Sequence, residues 1–153
     1  MAIFLVQHGK SLPKSEDPEQ GLATEGRRDV RRIADTAMAY GVKVARIEHS
    51  GKARARQTAE ILADRLAPYQ GLAAVAGIKP LDDVVPLAQS LRSDSGRMLV
   101  GHLPFMERLC AYLITVKAEK PVFKFQNGGI VCLEDDPDKG GWVIKWALMP
   151  HVS

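Results

Sequence analysis

The sequence predicts an α/β protein, a three-layer α/β/α sandwich with a mostly parallel central sheet. Short apolar runs typical of buried strands alternate along the chain with amphipathic segments of helical period. The chain then closes with two extended segments joined by a turn-like loop. Alternation of this kind is typical of parallel sheets covered by helices. At 153 residues we expect one domain, residues 1–153.

Five strands and one ambiguous segment are expected from the pattern. The strands span about 2–7, 44–48, 97–102, 129–134 and 142–148, and the segment 72–81 is a short strand or extended stretch. The run "RMLVGH" ends at His102. The loop "EDDPDKGG" joins the last two strands as a hairpin.

Three helices and one helical turn fill the spaces between the strands. The first helix is expected from Thr24, as N-cap, to about Tyr40, with Gly41 as a C-cap. Its apolar residues recur with the spacing of one helix face, at Val30, Ile33, Ala34, Ala37 and Met38. The second helix covers "ARARQTAEILADRL", a helical turn lies near 86–92, and "PFMERLCAYLIT" is a helix with Pro104 in its first turn.

The composition excludes several classes of protein. Hydrophobic residues make up 46% and charged residues 25%, as in water-soluble globular proteins. No apolar run approaches the ~20 residues of a membrane span, and no basic, apolar leader precedes the first strand. We therefore expect a cytoplasmic protein without a membrane partner. Cys110 and Cys132 are far apart and are expected to be free thiols.

Positive charge is concentrated in residues 27–56. This segment holds nine Lys or Arg residues against three acidic residues. It is either a solvated helix face or a field that attracts anionic partners such as phosphates, acidic proteins or nucleic acid. The chain has only nine aromatic residues (2 Trp, 3 Tyr, 4 Phe) and no stacking platform, so we expect no nucleic-acid partner.

Three of the four histidines lie at ends of predicted strands, namely His8, His49 and His102. Ligands of open α/β sheets bind outside the carboxyl ends of the strands, so these side chains should face one crevice. His151 lies in the terminal tail, and we assign it no function.

Histidines in such a crevice are suited to phosphoryl transfer. A ring nitrogen can attack phosphorus and form a covalent phosphoramidate, which splits one transfer into two easier steps. The other ring nitrogen should then carry the proton. Cationic donors and helix N-termini can stabilise the negative charge on the equatorial oxygens of the transferring phosphoryl group. Arg54 and Arg56, in the first turn of a predicted helix, and His102 can supply such donors.

Three segments resemble one family. "VQHGKS" resembles the Arg-His-Gly signature of the histidine phosphatase (phosphoglycerate mutase-like) superfamily. "HSGKARARQTAEIL" is similar to its Ser-x-x-x-Arg-Ala-x-Gln-Thr-Ala element, and "LVGHLPFMERL" to its second-histidine element. All three agree with the family in order and spacing, over residues 3–112. The short length and "GHLP" most resemble the SixA-type phosphohistidine phosphatases, the small branch without large cap insertions.

The resemblance implies a role for each matching residue. His8 would be the phosphorylated nucleophile, and Arg54 and His102 would bind phosphoryl oxygens. The helical pattern alone does not choose between Arg54 and Arg56, and only the match to the family element favours Arg54. The family's general acid, usually a glutamate in the middle of the chain, has no counterpart here. "PLDDVVP" offers Asp82 and Asp83, with Asp83 preferred, or else two loop aspartates.

The chain departs from the family at position 7. The family has arginine before the nucleophile, and this chain has Gln7, whose amide offers only neutral hydrogen bonds to phosphate. Lys10 is either a replacement for the missing charge or a surface lysine.

The predicted function is a phosphatase that acts on protein phosphohistidine or a related phosphorylated group. The alternative is a weak or inactive relative that binds phosphorylated partners without turnover. A metal hydrolase built from His8, His49, His102 and Asp83 is a third option, but it lacks a local ligand pair such as H-x-x-x-H. We expect no cofactor and no metal, a monomer, and a phosphorylated protein or small phosphorylated molecule as substrate.

Overall fold

A computed structural model describes residues 2–152 of the chain. The strands are β1 (Ile3–Gln7), β2 (Arg46–His49), β3 (Leu72–Ala74), β4 (Arg97–Gly101), β5 (Ile130–Asp136) and β6 (Gly141–Leu148). The helices are α1 (Thr24–Ala39), α2 (Ala53–Leu66), α3 (Val85–Ser90) and α4 (Phe105–Thr115), and a 3₁₀ turn spans Ser93–Ser95.

The strands form one sheet in the order β3-β2-β4-β1-β5-β6. Strands β1 to β4 pair in parallel, whereas β5 is antiparallel to β1 and β6 is antiparallel to β5. The predicted mostly parallel sheet and the closing hairpin are both confirmed. In this order β1 and β4 are central neighbours, so the residues that follow them meet at one edge of the sheet.

Two apolar clusters cover the two faces of the sheet. Alternate residues of β1 divide between them: Phe4 and Val6 pack with α1 and α2, whereas Ile3 and Leu5 pack with α3 and α4. Strand side chains alternate between the faces, so a central strand between two helical layers is apolar at every position. This explains why the run that precedes Gln7 is continuous and not alternating.

Two expectations about α1 are wrong. Thr24 is the first helical residue and not the N-cap, because Ala23 occupies the cap with extended backbone and no side-chain cap bond. Met38 is 51% exposed and lies off the buried stripe formed by the other four apolar positions. Met38 and the two residues after it, Ala39 and Tyr40, are all exposed at the end of the helix, so the helical spacing of Met38 does not bury it.

Glycine lets α1 lie directly against the chain that follows β1. A Cβ on Gly26 would lie 2.1 Å from the backbone oxygen of Lys10, and one on Gly9 would lie 2.8 Å from a methyl of Val30. Neither position accepts a side chain without movement of its neighbours. Residues 8–10 are therefore held between the carboxyl end of β1 and the first turns of α1.

Among residues 2–152, no helix combines the length and apolar character needed to cross a bilayer.

Candidate active site

The sheet brings His8 and His102 together. Gln7 of β1 and Gly101 of β4 are register partners, and the two histidines immediately follow them. The amide of His8 donates to the carbonyl oxygen of Gly101 at 2.9 Å. The two imidazole rings lie with centroids 5.1 Å apart, at an interplanar angle of 54°. The predicted crevice at the carboxyl ends of the strands therefore contains this histidine pair.

The hydrogen bonds of His8 determine its tautomer. Nδ1 lies 2.7 Å from the carbonyl oxygen of Gly9. A carbonyl oxygen only accepts, so Nδ1 carries the proton and Nε2 keeps its lone pair. Burial, together with the nearby Arg54 guanidinium, lowers the pKa of His8, although the bond to Gly9 acts in the opposite direction. His8 is therefore neutral at pH 7, as a nucleophile must be.

The backbone around His8 is held by side chains from two other elements. The amide of Gly9 donates to the hydroxyl of Thr58 at 2.9 Å, and that hydroxyl donates to the carbonyl oxygen of Arg54 at 2.7 Å. On the other side, Nδ2 of Asn127 donates to the carbonyl oxygen of His8 at 3.0 Å. Neither support is predicted by the sequence pattern. Thr58 was present in the quoted motif, but no local pattern singles out Asn127.

His102 is 1% exposed and forms a pair with a serine. Its Nε2 lies 2.6 Å from Oγ of Ser50, the residue after β2, and its buried Nδ1 has no partner among residues 2–152. Burial is the main cause that lowers the pKa of His102 to about 3, and the charges of His8, Arg54 and Lys52 lower it further. His102 is therefore neutral at pH 7, and negative charge in the site would favour its cationic form.

Arg54 and Arg56 occupy different environments. Arg54 is half-buried and is close enough to lower the pKa values of both His8 and His102. Arg56 is exposed, and its Nη1 lies 3.3 Å from Oε1 of Glu60 one helical turn later. The geometry thus agrees with the family match in placing Arg54, and not Arg56, beside the histidine pair. Because α2 and α4 begin just after β2 and β4, their N-terminal amides lie at this same edge.

Gln7 and Lys10 flank His8 in the sequence, but neither provides a free charge. The Oε1 atom of Gln7 is buried and has no hydrogen-bond partner among residues 2–152. Nζ of Lys10 lies 2.9 Å from Oε2 of Glu25, and this hydrogen bond raises the pKa of Lys10 and lowers that of Glu25. The charge of Lys10 is therefore shared with Glu25.

Asp82 and Asp83 are both used in turns. Oδ2 of Asp82 accepts from the amide of Lys79 at 2.9 Å, and Oδ1 of Asp83 accepts from the amide of Val85 at 3.0 Å, at the start of α3. The structure gives Asp83 no hydrogen bond or ion pair to His8 or His102 within residues 2–152. Its role as general acid stays a prediction.

The third strand-end histidine does not join the pair. Nδ1 of His49 accepts from the amide of Gly51 at 3.0 Å, which closes the turn before α2. Within residues 2–152, the side chains whose ligand atoms converge on one point are Glu25, Asp29 and His151. The set His8, His49, His102 and Asp83 does not converge in this way, so the geometry does not favour the metal-hydrolase option.

No protein-family model and no curated protein matches the sequence. Solved structures do match the fold. A protein histidine phosphatase SixA, solved as a complex with tungstate, superposes with a TM-score of 0.82 over 98% of this chain and 97% of its own, at 24% identity. The chain has the histidine phosphatase fold. Two further solved structures match this fold with lower TM-scores.

The first of these is a phosphoserine phosphatase of Entamoeba histolytica, solved with 3-phosphoglyceric acid. It matches with a TM-score of 0.71 at 14% identity, over 95% of each chain. The second is a phosphoglycerate mutase of Plasmodium falciparum, with a TM-score of 0.66 at 20% identity, over 99% of this chain and 93% of its own. Within the histidine phosphatase fold, the carboxyl ends of β1 and β4 carry His8 and His102 in this chain.

Proposed function

We propose that this protein is a phosphatase that forms a covalent phosphohistidine on His8 and acts on protein phosphohistidine or a related phosphorylated group. The observation that carries the proposal is the state of His8. Its Nδ1 proton is committed to the carbonyl oxygen of Gly9, and its Nε2 lone pair is free beside His102 and Arg54.

The first step forms one bond and breaks another. Nε2 of His8 attacks phosphorus, and the bond from phosphorus to the leaving atom breaks, so the leaving group departs with that electron pair. The Arg54 guanidinium and the Ser50–His102 pair are the donors that can bind the equatorial oxygens, where the charge of the transition state lies. Water then attacks the phosphohistidine, which restores Nε2 and releases inorganic phosphate.

The neutral histidines suit a dianionic substrate. An entering phosphoryl group favours the cationic form of His102, because an opposite charge raises the pKa of an imidazole. Binding would thus draw a proton onto His102, where it can stabilise the developing charge. The site gains this cation only when substrate is present, so two histidines and an arginine coexist without permanent repulsion.

The proposed substrate class follows from the leaving group and the open site. Imidazole leaves phosphorus more readily than an alkoxide, which lessens the need for a strong general acid. Only the short helix α3 and its flanking loops stand between β3 and β4, with no inserted cap domain. Such a site can admit a phosphorylated side chain carried on another protein. The SixA protein of similar fold is named as a protein histidine phosphatase.

The paired arginines of α2 provide the test. We expect Arg54→Ala to lower kcat/KM on a phosphohistidine protein and on an aryl phosphate by about 10²–10³-fold, as for loss of one preorganised donor. The matched variant Arg56→Ala should stay within about twofold, since Arg56 pairs with Glu60 at the surface. Equal losses in both variants would contradict the assignment. Binding of phosphoprotein without turnover by the wild type would support the inactive relative instead.

Asp83 remains the candidate general acid under this proposal. Asp83→Asn should then slow hydrolysis of an alkyl phosphate, whose leaving group needs a proton, at least tenfold more than hydrolysis of phosphohistidine. Asp82→Asn is the matched control, because Asp82 holds an equivalent turn bond to Lys79. If the two variants behave alike, Asp83 serves only to begin α3.

We infer further that the protein acts as a cytoplasmic monomer, without nucleic acid. Both cysteines are buried free thiols, as is usual in a reducing compartment. The edge strand β6 carries the exposed Lys145, whose charge opposes pairing with a second sheet. Light scattering at micromolar concentration should give the mass of one chain, 16.7 kDa. A mass of two chains would overturn the inference.

A further inference from the structure

A cavity of about 620 Å³ opens beside the nucleophile strand, on the side of β1 away from His102's strand. One wall is the start of α1 with the tail residue His151, and the other is the loop that leads into β5. Gln7, next to the nucleophile, lines it. Asn127 also lines it, and its side chain bonds to the backbone of His8. The cavity therefore adjoins the proposed phosphoryl site.

The charges on the α1 wall are compensated within the protein. Glu25 pairs with Lys10 at 2.9 Å. Asp29 lies 2.9 Å from Nε2 of His151 and 3.4 Å from Nη2 of Arg32. The two carboxylates of this wall thus each have a cationic or hydrogen-bonding partner, and the wall offers no uncompensated charge to a ligand.

The opposite wall differs because it carries Lys124. This lysine is exposed and makes no hydrogen bond or ion pair with the rest of residues 2–152. Gln7 contributes a neutral amide whose Oε1 is buried, and its Nε2 makes no hydrogen bond within those residues. A lysine ammonium is a mobile point charge with three donors. The cavity thus contains one uncompensated cation and neutral amide groups, and its lining includes Gln7, the residue before His8.

We propose that this cavity is a subsite for an acidic side chain that neighbours the phosphorylated residue of a protein substrate, with Lys124 as its cationic partner. The proposal rests on the proposed function, because it assumes a phosphorylated side chain at His8. An extended chain advances about 3.3–3.6 Å per residue. A carboxylate one or two residues from the phosphorylated position can therefore reach a cavity that begins at Gln7, the neighbour of the nucleophile.

The test measures binding of three peptides that carry a stable phosphohistidine analogue, phosphoryl-triazolylalanine. The residue two positions away is Glu, Gln or Lys, and the Kd of each labelled peptide is measured by fluorescence anisotropy. We expect the wild-type protein to bind the Glu peptide about fivefold more tightly than the Gln peptide. Lys124→Glu should reverse the order, so that the Lys peptide binds most tightly. The preference should weaken with added salt.

Lys43→Glu is the matched control. Lys43 is an exposed lysine without an ion pair among residues 2–152, and it precedes β2, at the end of the sheet opposite His8. This variant has the same change of charge and should keep the wild-type order of peptides. Equal Kd values for the Glu and Gln peptides in wild type, an unchanged order in Lys124→Glu, or no binding of any peptide would each overturn the subsite.

Because the Kd values need no turnover, the two proposals can fail separately. If the Glu preference depends on Lys124 but no phosphate is ever transferred to His8, the subsite stands and the enzymatic proposal fails. If phosphate is transferred and the peptides bind without preference, the enzymatic proposal stands and the subsite fails.

Discussion

Gln7 is the residue at which the candidate site departs most from the resemblance that predicted it. A guanidinium at this position would add two charged donors directly before His8, whereas the amide adds a neutral group whose Oε1 is buried with no hydrogen-bond partner among residues 2–152. Nζ of Lys10 lies 2.9 Å from Oε2 of Glu25 in an exposed ion pair, and its role in phosphate binding stays a prediction. Under the proposed function, Arg54 and the Ser50–His102 pair would be the main donors to the phosphoryl oxygens.

Gln7→Arg tests that view. A new guanidinium should raise kcat/KM on an aryl phosphate by about tenfold or more. Loss of a single preorganised donor lowers the rate by ~10²–10³-fold, and we expect a smaller gain because the surrounding residues are not arranged to orient the new arginine. Gln7→Met, of similar volume but with no donor, should lower kcat/KM by a few-fold. Steady-state kinetics of both variants decide the question. An arginine variant slower than the wild type would show that the site is organised around the neutral amide.

At the scale of elements, the approach of α1 to the chain after β1 determines where His8 lies. The positions of α1 and of His8 are coupled through two close approaches, that of Gly9 to a methyl of Val30 and that of Gly26 to the backbone oxygen of Lys10. The local pattern predicted both β1 and α1 to within two residues. It did not predict this contact, because the spacing of apolar residues identifies the buried face of a helix and not the element that it touches.

Gly26→Ala should therefore destabilise the protein by about 1–3 kcal/mol, the usual cost of overpacking, because the new Cβ would lie 2.1 Å from the backbone oxygen of Lys10. It should also lower kcat by shifting residues 8–10. Gly141→Ala is the control: its Cβ would meet no atom within 4 Å, so stability should stay within about 0.5 kcal/mol. Urea unfolding measures both. Equal stability of the two variants would contradict the packing account.

At the scale of the whole molecule, burial of the two histidines keeps them neutral in the site and also makes the stability of the fold sensitive to acid. The sheet order brings His8 and His102 into contact, and burial lowers the pKa values of both below 6.5, that of His102 to about 3. In the unfolded chain each histidine titrates near 6.5. The unfolded state thus binds more protons below that pH, and stability falls as the pH falls.

We expect the free energy of unfolding to decrease between pH 7.5 and pH 5, by at most about 1.4 kcal/mol per pH unit for each histidine. His102→Gln should have a lower stability at pH 7.5, where its bond to Ser50 is altered, but a shallower decrease toward pH 5. Paired exposed carboxylates such as Glu25 lose their contribution only at lower pH, since their pKa values lie below 4.5. Parallel pH curves for the two proteins would contradict the assignment.

The sequence predicted the parts of the site that depend on strand ends and helix starts. His8 and His102 follow from apolar runs and from the rule for sheet edges, whereas the choice of Arg54 over Arg56 follows only from the family resemblance. Their supports could not be predicted, since Asn127 and Thr58 reach the nucleophile loop across 119 and 49 positions of the chain. The boundaries that differed, such as the cap of α1 at Ala23 and the extension of β5 to Asp136, depend on tertiary packing rather than on local preference.

The most direct test is to trap the covalent intermediate. Wild-type protein mixed with a ³²P-labelled phosphohistidine protein and quenched in alkali, where phosphohistidine is stable, should carry label on a peptide that contains His8. The label should be absent from His8→Ala and present in His49→Ala, which lacks only the turn bond to Gly51. Hydrolysis of the substrate without label on His8, or label that persists in His8→Ala, would contradict His8 as the nucleophile.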